Sequence, residues 1–209
     1  MVSRLTLLTF VFLAFFKPAY SAEVRTIQAG DDIIVSLVGE ITSGDLQKIK
    51  KIHHTNGYIT KIDLDSEGGQ LFEAISIGQY ARENLIATEV SRGSICFSAC
   101  PYILIGGIVR TVRYGATVGM HMASVSRSME QQKIIIDILS TDRLNISEKL
   151  ELIINVFEQQ GAKGLLEQVF YMLDMGVSPR LMYAVAHTNH LEVYEFTRME
   201  MRETNLITE

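Results

Sequence analysis

Apolar and polar positions alternate in short runs over the first 120 residues and recur at helical spacing over most of the remainder. "DDIIVSLVGEIT" (31–42) is β-rich and turns at Gly39, whereas "SGDLQKIKKIHH" (43–54) places Leu46, Ile49 and Ile52 at helical intervals with Ser43 as N-cap. "YITKIDLDS" predicts a strand ending at "EGG", and "QLFEAISIGQYARENL" a helix with Leu71, Ile75 and Tyr80 near one face. "IATEVSRGS" is again a strand, and "SACPYILIGG" a short buried helix closed by glycine. "VRTV" and "ATVGMHM" are two further strands. Strands and helices that alternate in this way imply parallel pairing through helical crossovers, an α/β fold.

From Ser126 the character changes. "SMEQQKIIIDILSTDRLNISEKLELIINVFEQQ" is almost free of Gly and Pro and helical in pattern, with a break at Ser140–Asn145. "GAKGLLEQVFYMLDM" and "SPRLMYAVAHT" predict two more helices, "EVYEF" a short strand, and Thr197 with Glu200 a capping box that opens a last helix. No linker, solenoid repeat or low-complexity segment interrupts the pattern. The expectation is one domain over 22–209 with a helical extension over about 126–190.

The N-terminus stands outside that pattern. "MVSR" is a short basic start, "LTLLTFVFLAFF" a twelve-residue apolar run, and "KPAYSAEV" ends in small residues, the order of a secretory signal peptide. Residues 1–21 are expected to be removed after Ser21, with Ala22 as the alternative end. The apolar run falls short of the roughly 20 residues that span a bilayer, which disfavours the other reading, an uncleaved anchor. The expected location is therefore exported, periplasmic or secreted, and the mature protein soluble. Cleavage removes Arg4 and Lys17 and no acid, so the formal charge moves from -5 to -7. That sign gives no reason to expect nucleic acid or an anionic membrane as partner.

Three strand ends carry candidate chemistry. Gly68 and Gly69 let a backbone approach a ligand closely, although glycines there are ordinarily turn chemistry. Ser98 opens a helix whose unpaired N–H groups can stabilise an oxyanion; its plain alternative is a helix N-cap. His121 ends "ATVGMH" and is the residue type that activates a serine. All three close consecutive strands of what reads as one parallel sheet, where active sites gather at the carboxyl ends.

The runs "IIVSLVGEIT", "IDLDSEGG", "ICFSAC" and "GMHM" resemble the proteolytic subunit of Clp protease, in the crotonase-like superfamily, and most of all its exported, ATPase-free relatives. The likeness covers Ile33 to Ser124 and resumes in "FTRMEMRETNLIT", with 22 residues between Ser98 and His121. It implies a superhelix of repeated β-β-α units, a Ser98 nucleophile, a His121 general base, and an oxyanion hole from the N–H groups of Gly69 and Ala99. Gly68, Gln70 and Leu71 match the edge that pairs with an extended peptide. The implied reaction is acyl transfer to Ser98 and hydrolysis, without cofactor, metal or ATPase partner, in a homo-oligomer acting on a peptide or protein substrate. The neighbours of the serine depart from the family, which is Gly/Ala-rich there with a methionine after the serine. For the third triad member, Glu192 is the first candidate and Asp174 the second.

Cys96 and Cys100 are four residues apart. Within a helix their Cβ atoms would stand about 5–6 Å apart. A disulfide wants roughly 3.5–4.5 Å. They bond only if Cys96 lies outside the helix, in the turn before Ser98, and would then rigidify that turn; an oxidising compartment favours this. A catalytic cysteine is the rival reading. His53 and His54 end a helix, His187 and His190 lack a third metal ligand, and Met172, Met175 and Met182 read as core filler. Two functions stand: an exported serine peptidase, or a non-catalytic relative that binds peptides or assembles with a partner. An acyl-CoA enzyme ranks below both, since it leaves the Ser/His pair unexplained.

Overall fold

The computed structural model describes residues 21–122, 129–189 and 192–209. Residues 1–20 of the expected signal peptide 1–21, together with Ser124, Ser126 and His190, lie outside the described residues. A hairpin opens the fold: β1 (Glu23–Ala29) pairs antiparallel with β2 (Asp32–Val38). From β2 the chain adds β3 (Ile59–Asp65), β4 (Ala87–Val90) and β6 (Arg110–Val112), each parallel to the last, in the order β1-β2-β3-β4-β6. The crossovers are α1 (Asp45–Asn56), α2 (Leu71–Glu83) and α3 (Cys100–Gly106). β5 (Ile95–Phe97), β7 (Thr117–Met120) and β8 (Tyr194–Glu195) form a second, smaller sheet. Strand β4 continues into β5 and β6 into β7, so each β-β unit contributes one strand to either sheet, with α3 between the two units. This is the expected α/β superhelix.

Alternation explains the core. Val35 and Leu37 on β2, Ile62 and Leu64 on β3, and Val90 on β4 are buried beneath Ile49, Ile77 and Ile103 of the three crossover helices. Burying each such side chain stabilises the fold by roughly 1.5–3 kcal/mol relative to exposure. Helices α2 and α3 cross at a glycine pair, since a Cβ on Gly106 would collide with the backbone of Gly78. Tyr171 then reaches α3 and donates from its hydroxyl to the Tyr102 carbonyl at 2.6 Å, while the Tyr102 hydroxyl donates to Gln168 at 2.5 Å. Burial raises both phenols well above the ordinary tyrosine range, which keeps them neutral donors. At the C-terminal end of α3, Arg82 and Arg110 donate to the carbonyls of Ile105, Gly107 and Met175. Burial and the neighbouring Arg82 charge lower Arg110 to about 10, still protonated at neutral pH.

The helical segment departs from expectation in one respect. α4 (Met129–Ser140) does end where a break was expected, and Asn145 with Glu148 forms a capping box for α5. But α5 runs unbroken from Ile146 to Asp174 through Gly161 and Gly164. Two isolated glycines weaken a helix by about 1 kcal/mol each, which a long helix tolerates. α6 (Leu181–Ala186), β8 and α7 (Arg198–Glu203) follow, and α7 carries the expected Thr197–Glu200 capping box. Met172, Met175 and Met182 are buried in the core. Ser43 is not a cap: Gly44 holds the N-cap position, and the first N–H groups of α1 donate instead to Glu73, from Gly44 at 3.1 Å and Leu46 at 2.8 Å. No described helix is long and apolar enough to cross a membrane.

Candidate active site

Ser98 sits between β5 and α3 with φ at +58°, in the left-handed region that a residue with a Cβ rarely enters. Its N–H donates to the Gly119 carbonyl at 3.0 Å, which ties it to β7. The N-cap of α3 is Ala99, so Ser98 stands one residue before the cap and its hydroxyl accepts no capping bond there. The structure thereby removes the plain N-cap alternative for Ser98.

The register of the small sheet brings Ser98 and His121 to neighbouring strand ends, one residue out of step. β5 and β7 pair in parallel with Phe97 opposite Gly119, so the next residues along both strands are Ser98 on one and Met120, then His121, on the other. His121 is half-buried, and its Nδ1 lies 2.9 Å from the Met122 carbonyl oxygen. A carbonyl only accepts, so Nδ1 carries the proton in this contact, and in the neutral ring that leaves the lone pair on Nε2. No hydrogen bond joins the ring of His121 to Ser98 Oγ. Such contacts are often long in unliganded sites and tighten when substrate binds.

Gly68 and Gly69 follow β3 with φ of +106° and +139°. A Cβ on Gly68 would lie 2.6 Å from Ser98 Cβ and 2.7 Å from the Phe97 carbonyl oxygen, so only glycine admits the serine turn here. Ile41 occupies one edge of the segment: its N–H donates to the Gly68 carbonyl at 2.7 Å, and Gln70 N–H donates to the Ile41 carbonyl at 2.9 Å. Backbone groups alternate in direction along an extended chain, so the Gly69 N–H turns to the opposite edge. Among the described residues neither it nor the Ala99 N–H meets an acceptor. Ser66 was not singled out from the sequence, yet its hydroxyl accepts from Gly68 N–H at 3.0 Å and donates to the Gly39 carbonyl at 2.6 Å. Gln70 is exposed, with its carboxamide oxygen accepting from Ser43 at 2.6 Å, and Leu71 is half-buried.

Gly-Gly does not close the same sheet as Ser98 and His121. Gly68 and Gly69 follow the five-stranded sheet, the other two the three-stranded one. The sheets meet at a parallel bridge between Ser66 and Cys96, because the turn at Ser91–Ser94, with Gly93 at φ +83°, ends β4 and starts β5. Cys96 and Cys100 are joined in a disulfide with Cα atoms 5.1 Å apart. Cys96 lies in β5 rather than in a turn, outside the helix as the bond requires.

Neither carboxylate considered for the triad reaches His121. Extending the antiparallel register of Met120 with Tyr194 sets Val193 opposite His121 and Glu192 beside it. The Glu192 side chain is exposed and makes no ion pair with the ring. Asp174 ends α5, next to the Met175 carbonyl at the C-terminal end of α3, whereas Ser98 precedes the N-terminal end. The Met122 carbonyl takes the orienting position, and a backbone group leaves no signature in residue identity. His53 accepts or donates a 2.6 Å bond with the Tyr80 hydroxyl, His187 bonds the Tyr183 carbonyl, and no metal-binding cluster occurs among the described residues.

The fold is that of the Clp-type serine proteases. A mutant of ClpP1 from Listeria monocytogenes superposes with a TM-score of 0.55 at 11% identity, over 84% of this chain and 89% of that one. A mutant of the 1510-N membrane-bound stomatin-specific protease, in complex with a substrate peptide, superposes with a TM-score of 0.51 at 16% identity, over 84% and 72%. Compared by sequence, the chain matches no family model and no curated protein.

Proposed function

We propose that the chain is an exported, ATP-independent serine peptidase that uses Ser98 and His121. The observation that carries this reading is Ser98 itself. It is held at a left-handed φ beside Gly68, with the end of β7 delivering His121 alongside. A substrate peptide lies as an extended strand against the free edge of Gly68–Leu71, opposite Ile41, so its scissile carbonyl faces Ser98. His121 Nε2 takes the Ser98 proton as Oγ attacks that carbonyl, and the Gly69 and Ala99 N–H groups receive the oxyanion. Collapse of the tetrahedral adduct breaks the C–N bond, His121 returns its proton to the leaving amine, and water then hydrolyses the acyl-serine through the same base. The Met122 carbonyl keeps His121 in the tautomer this requires. Removal of residues 1–21 on export places the site in a compartment compatible with the Cys96–Cys100 bond.

The open Ser98–His121 contact favours a second reading, a peptide-binding protein of the same fold without turnover. A serine-directed fluorophosphonate separates the two. Labelling of wild type that falls at least a hundredfold in Ser98→Ala and in His121→Ala supports the peptidase. A folded wild type that takes up no probe supports the binding protein.

A further inference from the structure

We infer that the Cys96–Cys100 disulfide is the positioning element of the nucleophile, so that the site is competent only in the oxidised protein. This rests on the reading of Ser98 as the nucleophile. The bond closes a ring of five residues with Ser98 at its centre: Cys96, Phe97, Ser98, Ala99, Cys100. So short a loop removes little chain freedom from the unfolded state compared with a long one, and its effect is felt within the ring. One end is fixed. Cys96 is fully buried in β5, bridged to Ser66 on one side and paired with Val118 on the other. The other end, Cys100, is fully buried in the first turn of α3. Between them the chain must turn from strand to helix in three residues, with the middle one at φ +58°.

A non-glycine residue holds that conformation only where its surroundings impose it. The hydrogen bond on the Ser98 backbone is the one from its N–H to the Gly119 carbonyl at 3.0 Å, and Gly68 packs against the turn from one side without bonding to it. The disulfide supplies the rest by clamping the start of α3 to β5. When it opens, Ser98 relaxes toward negative φ, which moves both its Oγ and the following Ala99 N–H away from the placement that the bonded ring imposes. The two cysteines act through Ser98 and are positioning residues.

The test compares probe labelling of three mature proteins: oxidised wild type, wild type reduced with a water-soluble phosphine, and Cys96→Ala/Cys100→Ala. In the reduction the phosphorus supplies two electrons and takes up oxygen from water, and the two water protons end on the two thiols. Alkylation of two thiols in an unfolded aliquot confirms it. The expected result is a labelling rate at least tenfold lower in the reduced protein and in the double variant. Circular dichroism stays unchanged, and the rate recovers on reoxidation of the reduced wild type alone. Equal labelling in all three overturns this inference and leaves the peptidase standing. Loss of the circular-dichroism signal on reduction also overturns it, since the bond would then hold the whole fold. If oxidised wild type takes up no probe, the reading of Ser98 fails and this inference falls with it.

Discussion

At His121 the orienting partner is the Met122 carbonyl, 2.9 Å from Nδ1, rather than a carboxylate. A carboxylate beside a catalytic histidine does two things: it selects the tautomer and stabilises the imidazolium that forms in the transition state. A carbonyl does the first fully and the second weakly, since it carries only a partial charge. Glu192 is exposed, so solvent screens its field at the ring. Glu192→Gln is therefore expected to change the fluorophosphonate labelling rate less than about threefold, against loss of labelling in His121→Ala. A hundredfold fall would make Glu192 the third catalytic member after all. The placement of Ser98, His121 and the glycine pair at strand ends was legible in the sequence, and Gly68 has a structural need for glycine, since a Cβ there would strike Ser98; the hydroxyl and the imidazole are the residue types that the proposed reaction requires. The partner of His121 was not legible, because any residue at position 122 would offer the same carbonyl.

Among the elements, α3 couples the core to the site, and glycines show how closely it is held. Gly78 on α2 faces Tyr102 and the Tyr171 ring, and a Cβ there would lie 3.2 Å from Tyr171 Cζ and closer still to its hydroxyl. Gly161 and Gly164 on α5 have nothing within 4 Å of a built Cβ. The same substitution should therefore act in opposite directions. Gly78→Ala overpacks the α2–α3 crossing and costs roughly 1–3 kcal/mol. Gly161→Ala and Gly164→Ala each gain about 0.5–1 kcal/mol of helix stability. Thermal unfolding reads these as shifts of roughly 2–4 °C per kcal/mol, downward for the first and upward for the other two. A stabilised Gly78→Ala would mean that α2 and α3 separate freely. The helical glycines also mark the limit of local reading. "QQGAKGLL" looks like a break because glycine is the weakest non-proline helix former, yet the capping box at Asn145 and the anchored end at Gln168, Tyr171 and Met172 carry α5 across it. Strands β1 and β5 escaped for a related reason. β1 is exposed along most of its length and shows no apolar alternation, and β5 is three residues long.

For the whole molecule, α4 and α5 pose a question of burial. α5 is 29 residues long, about 43 Å at a helix's rise, and the side chains it buries are Gln168, Tyr171 and Met172, all in its C-terminal third. Ile146, Leu150 and Ile154 recur every fourth residue on the exposed N-terminal part, and Leu166, Phe170 and Leu173 are more than half exposed further on. A surface that faces water scatters single apolar residues, and two such stripes on one helix are a candidate contact for the homo-oligomer expected from the sequence. The polar positions between them mix signs, with Lys149 and Lys163 among Glu148, Glu151, Glu158 and Glu167, which suits a self-complementary protein contact better than an anionic bilayer. A second copy of this chain is the occupant we propose. Sedimentation velocity of the chain without residues 1–21 should show a species at least twice the monomer mass, and Leu150→Glu with Ile154→Glu should shift it toward monomer. Wild type that sediments as a monomer at micromolar concentration would overturn the assembly. Because these positions lie on the helical extension, far along the chain from Ser98 and His121, the dissociated variant should still label with the fluorophosphonate. Labelling lost together with assembly would instead mean that the neighbouring copy is needed to close the Ser98–His121 contact.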